Sequence, residues 1–223
     1  MSIILHIDTS MEEAQVSIAR DGELLRYLLN SSQKDHGSFL QPAIRLLLQE
    51  TGIPISSIDA VAVTIGPGSY TGLRVGMASA KGLCYALNKP LIGLNTLEVL
   101  AASAQMTHEL DPASLLCPMI DARRMEVYTA VYDSNLHIVS PVNAMILDAD
   151  SYTAFDNEMI FFGSGAPKWK DICVLPNASF INVVLLPQAF CKLSYNSFLQ
   201  QQFLQLADSQ PFYLKEFYDV KRM

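Results

Sequence analysis

Two short stretches hold the residue types that phosphate chemistry uses. The first is Asp8-Thr9-Ser10, at the end of an apolar run. It sets a carboxylate that can organise a metal ion through water beside hydroxyls and backbone N–H groups that can hold phosphate oxygens. The second is Gly66-Pro67-Gly68, followed by Ser69-Tyr70-Thr71-Gly72-Leu73-Arg74. Gly66 and Gly68 allow positive φ, Ser69 or Thr71 can cap a following helix, and the free N–H groups of that helix can hold an anion. No lysine completes the GxxxxGK[ST] pattern, so this is not a P-loop. The first loop has no glycine, and Met11-Glu12-Glu13 crowds it with a side chain and negative charge. A strand-terminal turn closed by local Ser, Thr and Asp hydrogen bonds therefore competes with a phosphate site there.

Other chemistry-bearing residues are sparser. His36 precedes a helix, where a lone histidine serves as a surface or capping residue. Gly163-Ser164-Gly165 has the shape of an adenosine cradle, and Asp121-Ala122-Arg123-Arg124 puts charge at a tight turn. The four cysteines are scattered without a CxxC pair, which argues against zinc and against a disulfide framework and suits a reducing cytosol. Lys plus Arg is 15 against 22 Asp plus Glu, a formal charge of −7. Such a chain repels phosphate backbones and is a poor nucleic-acid binder alone. No apolar run reaches the ~18 residues that span a bilayer, and Asp8 comes too early for a secretory signal. The expectation is a cytoplasmic protein with no membrane contact.

The elements that position these residues follow from periodicity. Ile3–Ile7, Ala14–Arg20 and Glu23–Leu29 read as strands, the last two joined by Asp21-Gly22, a hairpin signal. A helix capped by Ser38 runs to Gly52, with Pro42 early enough to be tolerated. Asp59–Ile65 reads as a buried parallel strand. Then come the glycine turn, a helix to about Asn88, a strand at Pro90–Leu94 and a helix from about Asn95 to Met106. The order βββαβαβα is that of an actin-like, ribonuclease-H-like lobe. The polar stretch after Met106 divides the chain into a first lobe (1–106) and a shortened second lobe (107–223). In the second, Leu115–Ile120, Glu126–Tyr132, His137–Val139 and a strand at MIFFG are followed by a helix from Leu186 to Leu206.

The helix after the glycine turn is unusual. Gly72, Gly76, Ala80 and Cys84 recur every four residues, and only a narrow strip with Arg74, Lys81 and Tyr85 is polar. Helical glycines cost up to about 1 kcal/mol each, and close backbone approach is what recovers that cost. Both this helix and the preceding one are broadly apolar. They are either well-buried core helices or a two-helix contact face. The candidate contact residues are Leu40, Ile44 and Leu47 on the first helix. On the second they are Arg74, Val75, Ala78, Ser79, Lys81, Gly82 and Tyr85.

The run IDTS, IDAVAVTIGPGSYTGLRVGMASAKGL, PLIG, MIDARRMEVYTAVY and the late PFYLKE resemble the TsaB (YeaZ) family over nearly the whole chain, with 140–205 matched only loosely. The related TsaD proteins carry an HxxxH metal motif after the strand that follows the glycine turn. By spacing from Pro90 its ligand positions fall here on Thr96 and Leu100, and leucine cannot bind a metal. The resemblance implies a fold retained with its chemistry removed, Asp8, Thr9, Ser10, Gly66 and Gly68 being degenerate phosphate-loop positions. It implies a non-catalytic subunit that docks on TsaD as a heterodimer, with the ATPase TsaE joining, and that forms a homodimer when alone. Such a complex installs threonylcarbamoyl on the adenosine beside the anticodon of tRNAs reading codons that start with A. This chain would hold no cofactor tightly, ATP being used by its partners, and would reach tRNA only through the complex. A small actin-like ATP-dependent kinase, or a protease as in the family's old glycoprotease label, are the alternatives. The first needs a catalytic aspartate and a glycine-bearing first loop, and the second finds no HExxH here.

Overall fold

The computed structural model describes residues 1–31 and 35–214. Lys215 and Glu216 of the PFYLKE segment lie outside the described residues. The first sheet has the order β3-β2-β1-β4-β5, with β1 (Ile3–Asp8), β2 (Ala14–Arg20) and β3 (Glu23–Asn30) antiparallel. Asp21 and Gly22 both have positive φ in the hairpin turn, as Asp-Gly allows. Beyond β1, β4 (Ala60–Gly66) and β5 (Leu91–Asn95) run parallel to it, and β4 is buried along nearly its whole length. The chain is a two-lobed α/β protein of the actin-like, ribonuclease-H-like class.

The second sheet repeats this plan as β10-β9-β6-β7-β8. Here β6 (Leu115–Asp121), β7 (Glu126–Tyr132) and β8 (Ile138–Ile146) form the antiparallel meander, and β9 (Met159–Phe162) and β10 (Ala178–Phe180) are parallel to β6. The helices are α1 (His36–Thr51), α2 (Tyr70–Leu87), α3 (Thr96–Thr107), α4 (Ala166–Lys170) and α5 (Pro187–Leu199). Among the described residues no helix stands between β8 and β9, where α1 would recur, and the short α4 takes the place of α2, so the second lobe has less helix than the first.

Two expectations need correction. Asp35, not Ser38, is the N-cap of α1, and the Ser38 hydroxyl donates instead to the Asp35 carbonyl. The last helix stops at Leu199 rather than Leu206, after which Leu204 N–H donates to Leu91 O on the edge of the first sheet. The helix α4 and strand β10 were not legible in the sequence.

The packing interlocks the two lobes. α1 and α2 cover one face of the first sheet through Leu40, Ile44, Leu47, Met77 and Ala80. The other face is covered by α5, whose Ala189 and Phe190 pack on Ile4, Ala60, Ala62 and Ile92. In exchange, Leu97, Leu100, Ala101 and Ala104 of α3 pack on Leu116, Ile120 and Ala130 of the second sheet. Each half of the chain thus lends its last helix to the other, and a boundary near residue 106 divides the chain but not the core.

Candidate functional site

The two loops that sequence singled out lie side by side at the carboxyl ends of β1 and β4, and they close on each other. Asp8, Thr9 and Ser10 are 2%, 1% and 1% exposed, so no face of the turn is open to a ligand. The Asp8 Oδ1 atom accepts from Ser10 N (2.9 Å), Ser10 Oγ (2.7 Å) and Thr64 Oγ1 (2.6 Å). Thr9 Oγ1 donates to the Gly72 carbonyl at 2.6 Å, and Ser69 N–H, at the start of α2, donates to Ser10 O at 2.7 Å. The Ser10 and Ser69 N–H groups and the Ser10 and Thr9 hydroxyls are the kind of donors a phosphate would need, and each is taken up inside the protein. The strand-terminal turn with internal hydrogen bonds is what the chain builds.

The glycines explain how the loops come so close. A methyl group at Gly68 would overlap the Ser10 carbonyl, one at Gly72 the Thr9 carbonyl, and one at Gly76 the Thr9 hydroxyl. The small-residue ridge of α2 therefore recovers its helix-propensity cost inside the protein, against the first loop and the sheet, and not against a second helix. Gly66, at φ 117, presses in turn on Leu73 and the Phe212 carbonyl. Met11, beside the first loop, packs into the cluster formed by α3 and the second sheet. It fills space between the lobes. His36, 4% exposed, shares a 3.1 Å hydrogen bond with the Glu12 carbonyl and holds this loop to the start of α1.

Thr96 and Leu100, where spacing from Pro90 put the metal-ligand positions of the related proteins, are equally closed. Leu100 is fully buried in the α3 cluster; Thr96 is also fully buried, with a hydroxyl that meets no polar partner among the described residues. Gly163-Ser164-Gly165 is not an open cradle: Gly163 and Gly165 pack on β6, and Ser164 Oγ accepts from Asp121 N. Arg123 and Arg124 are exposed, both with positive φ, at the tip of the β6–β7 turn. No group of three His, Cys, Asp or Glu side chains among the described residues converges as a metal site would require.

The contact-face residues divide. Leu40, Ile44 and Leu47 are 0%, 3% and 0% exposed, in the core between α1 and the first sheet, and are corrected from surface to interior. Their spacing with Ala43 is the i, i+3, i+4, i+7 stripe of a core-facing helix, a signal that identifies them as interior. The outer side of α1 instead shows Gln41, Pro42, Arg45 and Leu46. On α2, Arg74, Ala78, Gly82 and Tyr85 are exposed and Val75, Ser79 and Lys81 half-buried. Gly82 has open space where a Cβ would stand, and Tyr85 is 83% exposed.

One flank of that face is built by residues the sequence did not single out. After α5 the chain crosses back over the first sheet. Lys81 Nζ donates to the Ala207 and Ser209 carbonyls, Phe212 N–H to Ile65 O, and Arg74 Nε to the Tyr213 hydroxyl at 3.0 Å. The Arg74 guanidinium also lies 4.0 Å over the Tyr70 ring, and the Tyr213 hydroxyl raises its already high pKa. This strap borders the exposed α2 strip on one side.

Fold and site together define a class: a two-lobed actin-like protein in which the turns after β1 and β4 are closed on each other. Comparison with known proteins gives the family. The family model of TsaD, tRNA N6-adenosine threonylcarbamoyltransferase, matches residues 30–173. The tRNA threonylcarbamoyladenosine biosynthesis protein TsaB of Bacillus subtilis is 31% identical over 80% of this chain and 79% of its own. That of Escherichia coli is 27% identical over 95% and 94%. The crystal structure of YeaZ from Pseudomonas aeruginosa superposes with a TM-score of 0.81 at 25% identity, covering 96% of this chain and all of that one. The chain belongs to the TsaB (YeaZ) family.

Proposed function

We propose that this protein serves tRNA threonylcarbamoyladenosine biosynthesis as a non-catalytic subunit that docks on a TsaD-type transferase through the outer face of α1 and α2. The observation that carries the non-catalytic part is the closure of the Asp8-Thr9-Ser10 turn. Asp8 Oδ1 accepts from Ser10 and Thr64, and Gly68 and Gly72 leave no gap beside the turn. A kinase of this fold needs that gap for the phosphates of ATP, and the closed turn favours the non-catalytic reading over the kinase one. The names of the TsaB relatives support the pathway, and the exposed strip of α2 with Ala78, Gly82 and Tyr85 supports docking. An ATPase of the TsaE type joins this pair, tRNA is bound by the assembly rather than by this acidic chain, and the same face pairs two copies when the partner is absent.

The test is reconstitution. TsaD and TsaE from the same organism, with threonylcarbamoyl-adenylate and tRNA, should form modified tRNA only when this protein is added. The protein alone should turn over neither ATP nor peptide substrates. Modification at full rate without it, or ATP turnover by the pure chain, would overturn the proposal.

A further inference from the structure

The outer side of α1 and α2 carries a charge opposite to that of the chain as a whole. The protein has 15 Lys and Arg against 22 Asp and Glu. Yet α2 has no acid, only Arg74 and Lys81, and α1 has Arg45 and a single acid, Glu50. Glu50 is turned away from α2: it pairs at 2.7 Å with Arg26 of β3, the strand at the far edge of the sheet. Arg45, five residues earlier, stands about 140° round the helix from it and so toward α2. Lys81 is taken up by the strap carbonyls, and Asp208 in the same stretch offsets its charge. What remains on the outer face is cationic, with Arg74 on α2 and Arg45 on α1.

Arg74 is held in place. Its guanidinium lies 4.0 Å over the Tyr70 ring and 5.8 Å from the Tyr213 ring, and its Nε donates to the Tyr213 hydroxyl at 3.0 Å. The two rings are themselves 5.2 Å apart, so one tyrosine comes from α2 and the other from the strap. Stacking of this kind is specific to the planar guanidinium. The Nη groups have no hydrogen-bond or ion-pair partner among the described residues. They form the edge that a carboxylate grips with two parallel hydrogen bonds. An arginine fixed beforehand loses less freedom when it binds.

From these features we infer that the face selects a partner whose opposing surface carries carboxylates, and that Arg74 is the residue that recognises them. The inference rests on the docking reading above and adds its chemistry. One acid of the partner meets the Nη edge of Arg74, and the surface opposite Arg45 is acidic as well. A second copy of this chain presents the same cations and no free acid, so pairing two copies sets like charge against like. Charge then orders the partners: the transferase first, a second copy only in its absence.

The test measures two affinities of the full-length protein, for the TsaD of the same organism and for itself, by analytical ultracentrifugation at ~0.05 M and ~0.5 M salt. Arg74→Gln should weaken TsaD binding about three- to fivefold at low salt and much less at high salt. The same variant should strengthen self-association, although it makes an acidic chain more negative still. Lys192→Gln, an equal charge change at an exposed position of α5, should shift neither affinity. An unchanged TsaD affinity of Arg74→Gln at low salt would overturn the inference. So would a loss in both associations, the mark of lost packing, or an equal effect of Lys192→Gln, the mark of net charge alone. Failure of the wild type to bind TsaD would remove the docking reading. The charge preference would then stand if Arg74→Gln tightens self-association, and fall if it does not or if no self-association is measurable.

Discussion

At the scale of single residues, the α2 glycines are the sharpest expression of what this chain does. Gly72 and Gly82 sit in the same helix, ten residues apart, with opposite surroundings. Alanine at Gly72 would meet the Thr9 carbonyl, so Gly72→Ala should cost about 1–3 kcal/mol through overpacking. Gly82→Ala meets nothing and should stabilise by up to about 1 kcal/mol from helix propensity. Urea unfolding midpoints of the two variants should therefore move in opposite directions, and a shared direction would contradict the closed-loop geometry. His6 provides a pH test. It is fully buried between Ser17 O (3.3 Å) and Ser194 Oγ (2.7 Å), and burial lowers its pKa from 6.5 to about 4. The folded protein thus keeps His6 neutral below the pH at which the unfolded chain is protonated. Its contribution is whole above pH 6.5 and is lost as the pH falls toward 4, roughly 3 kcal/mol in all. Unfolding free energies measured across that window should fall with decreasing pH, and His6→Gln should flatten the slope.

At the scale of elements, much was legible because hydrophobic period and turn chemistry agree locally. Asp21-Gly22, the GPG turn and the periodic run of α2 each announce their structure within a few residues, and so does the first-lobe order. What failed was long-range. The stripe of Leu40, Ala43, Ile44 and Leu47 marks the interior side of α1, but it does not say whether the sheet of its own lobe or another partner covers that side. The ridge at Gly72 and Gly76 announces close approach without naming the partner, which proved to be the chain's own first loop. The strap was missed because Arg74 and Tyr213 meet across 139 residues. The face that remains is narrower than the sequence suggests: Ala78, Gly82 and Tyr85, with Val75 and Ser79 at its margin and Arg45 and Leu46 across from it. Leu47→Glu should accordingly unfold the protein, seen as loss of helical circular dichroism, whereas Ala78→Glu should leave the spectrum intact.

At the scale of the whole molecule, the exchange of α3 and α5 between sheets makes the lobes one cooperative unit. Removing residues 187–223 would strip Phe190 and Ala189 from the first sheet. The remainder should bind a hydrophobic dye strongly, while the full chain should unfold in a single thermal transition. The net charge of −7 leaves few phosphate contacts. tRNA binding by the protein alone should therefore be weak, each contact adding about −0.9 to the slope of log affinity against log salt. The central claim is that a chain with closed phosphate loops works through its outer helical face. It is tested most directly by the affinity of Gly82→Glu for the TsaD of the same organism, with circular dichroism as the control for folding. Because Gly82 faces open space, the variant should fold as the wild type does and bind at least about tenfold more weakly, a loss of roughly 1.4 kcal/mol. A folded Gly82→Glu protein that binds TsaD with wild-type affinity would contradict the account.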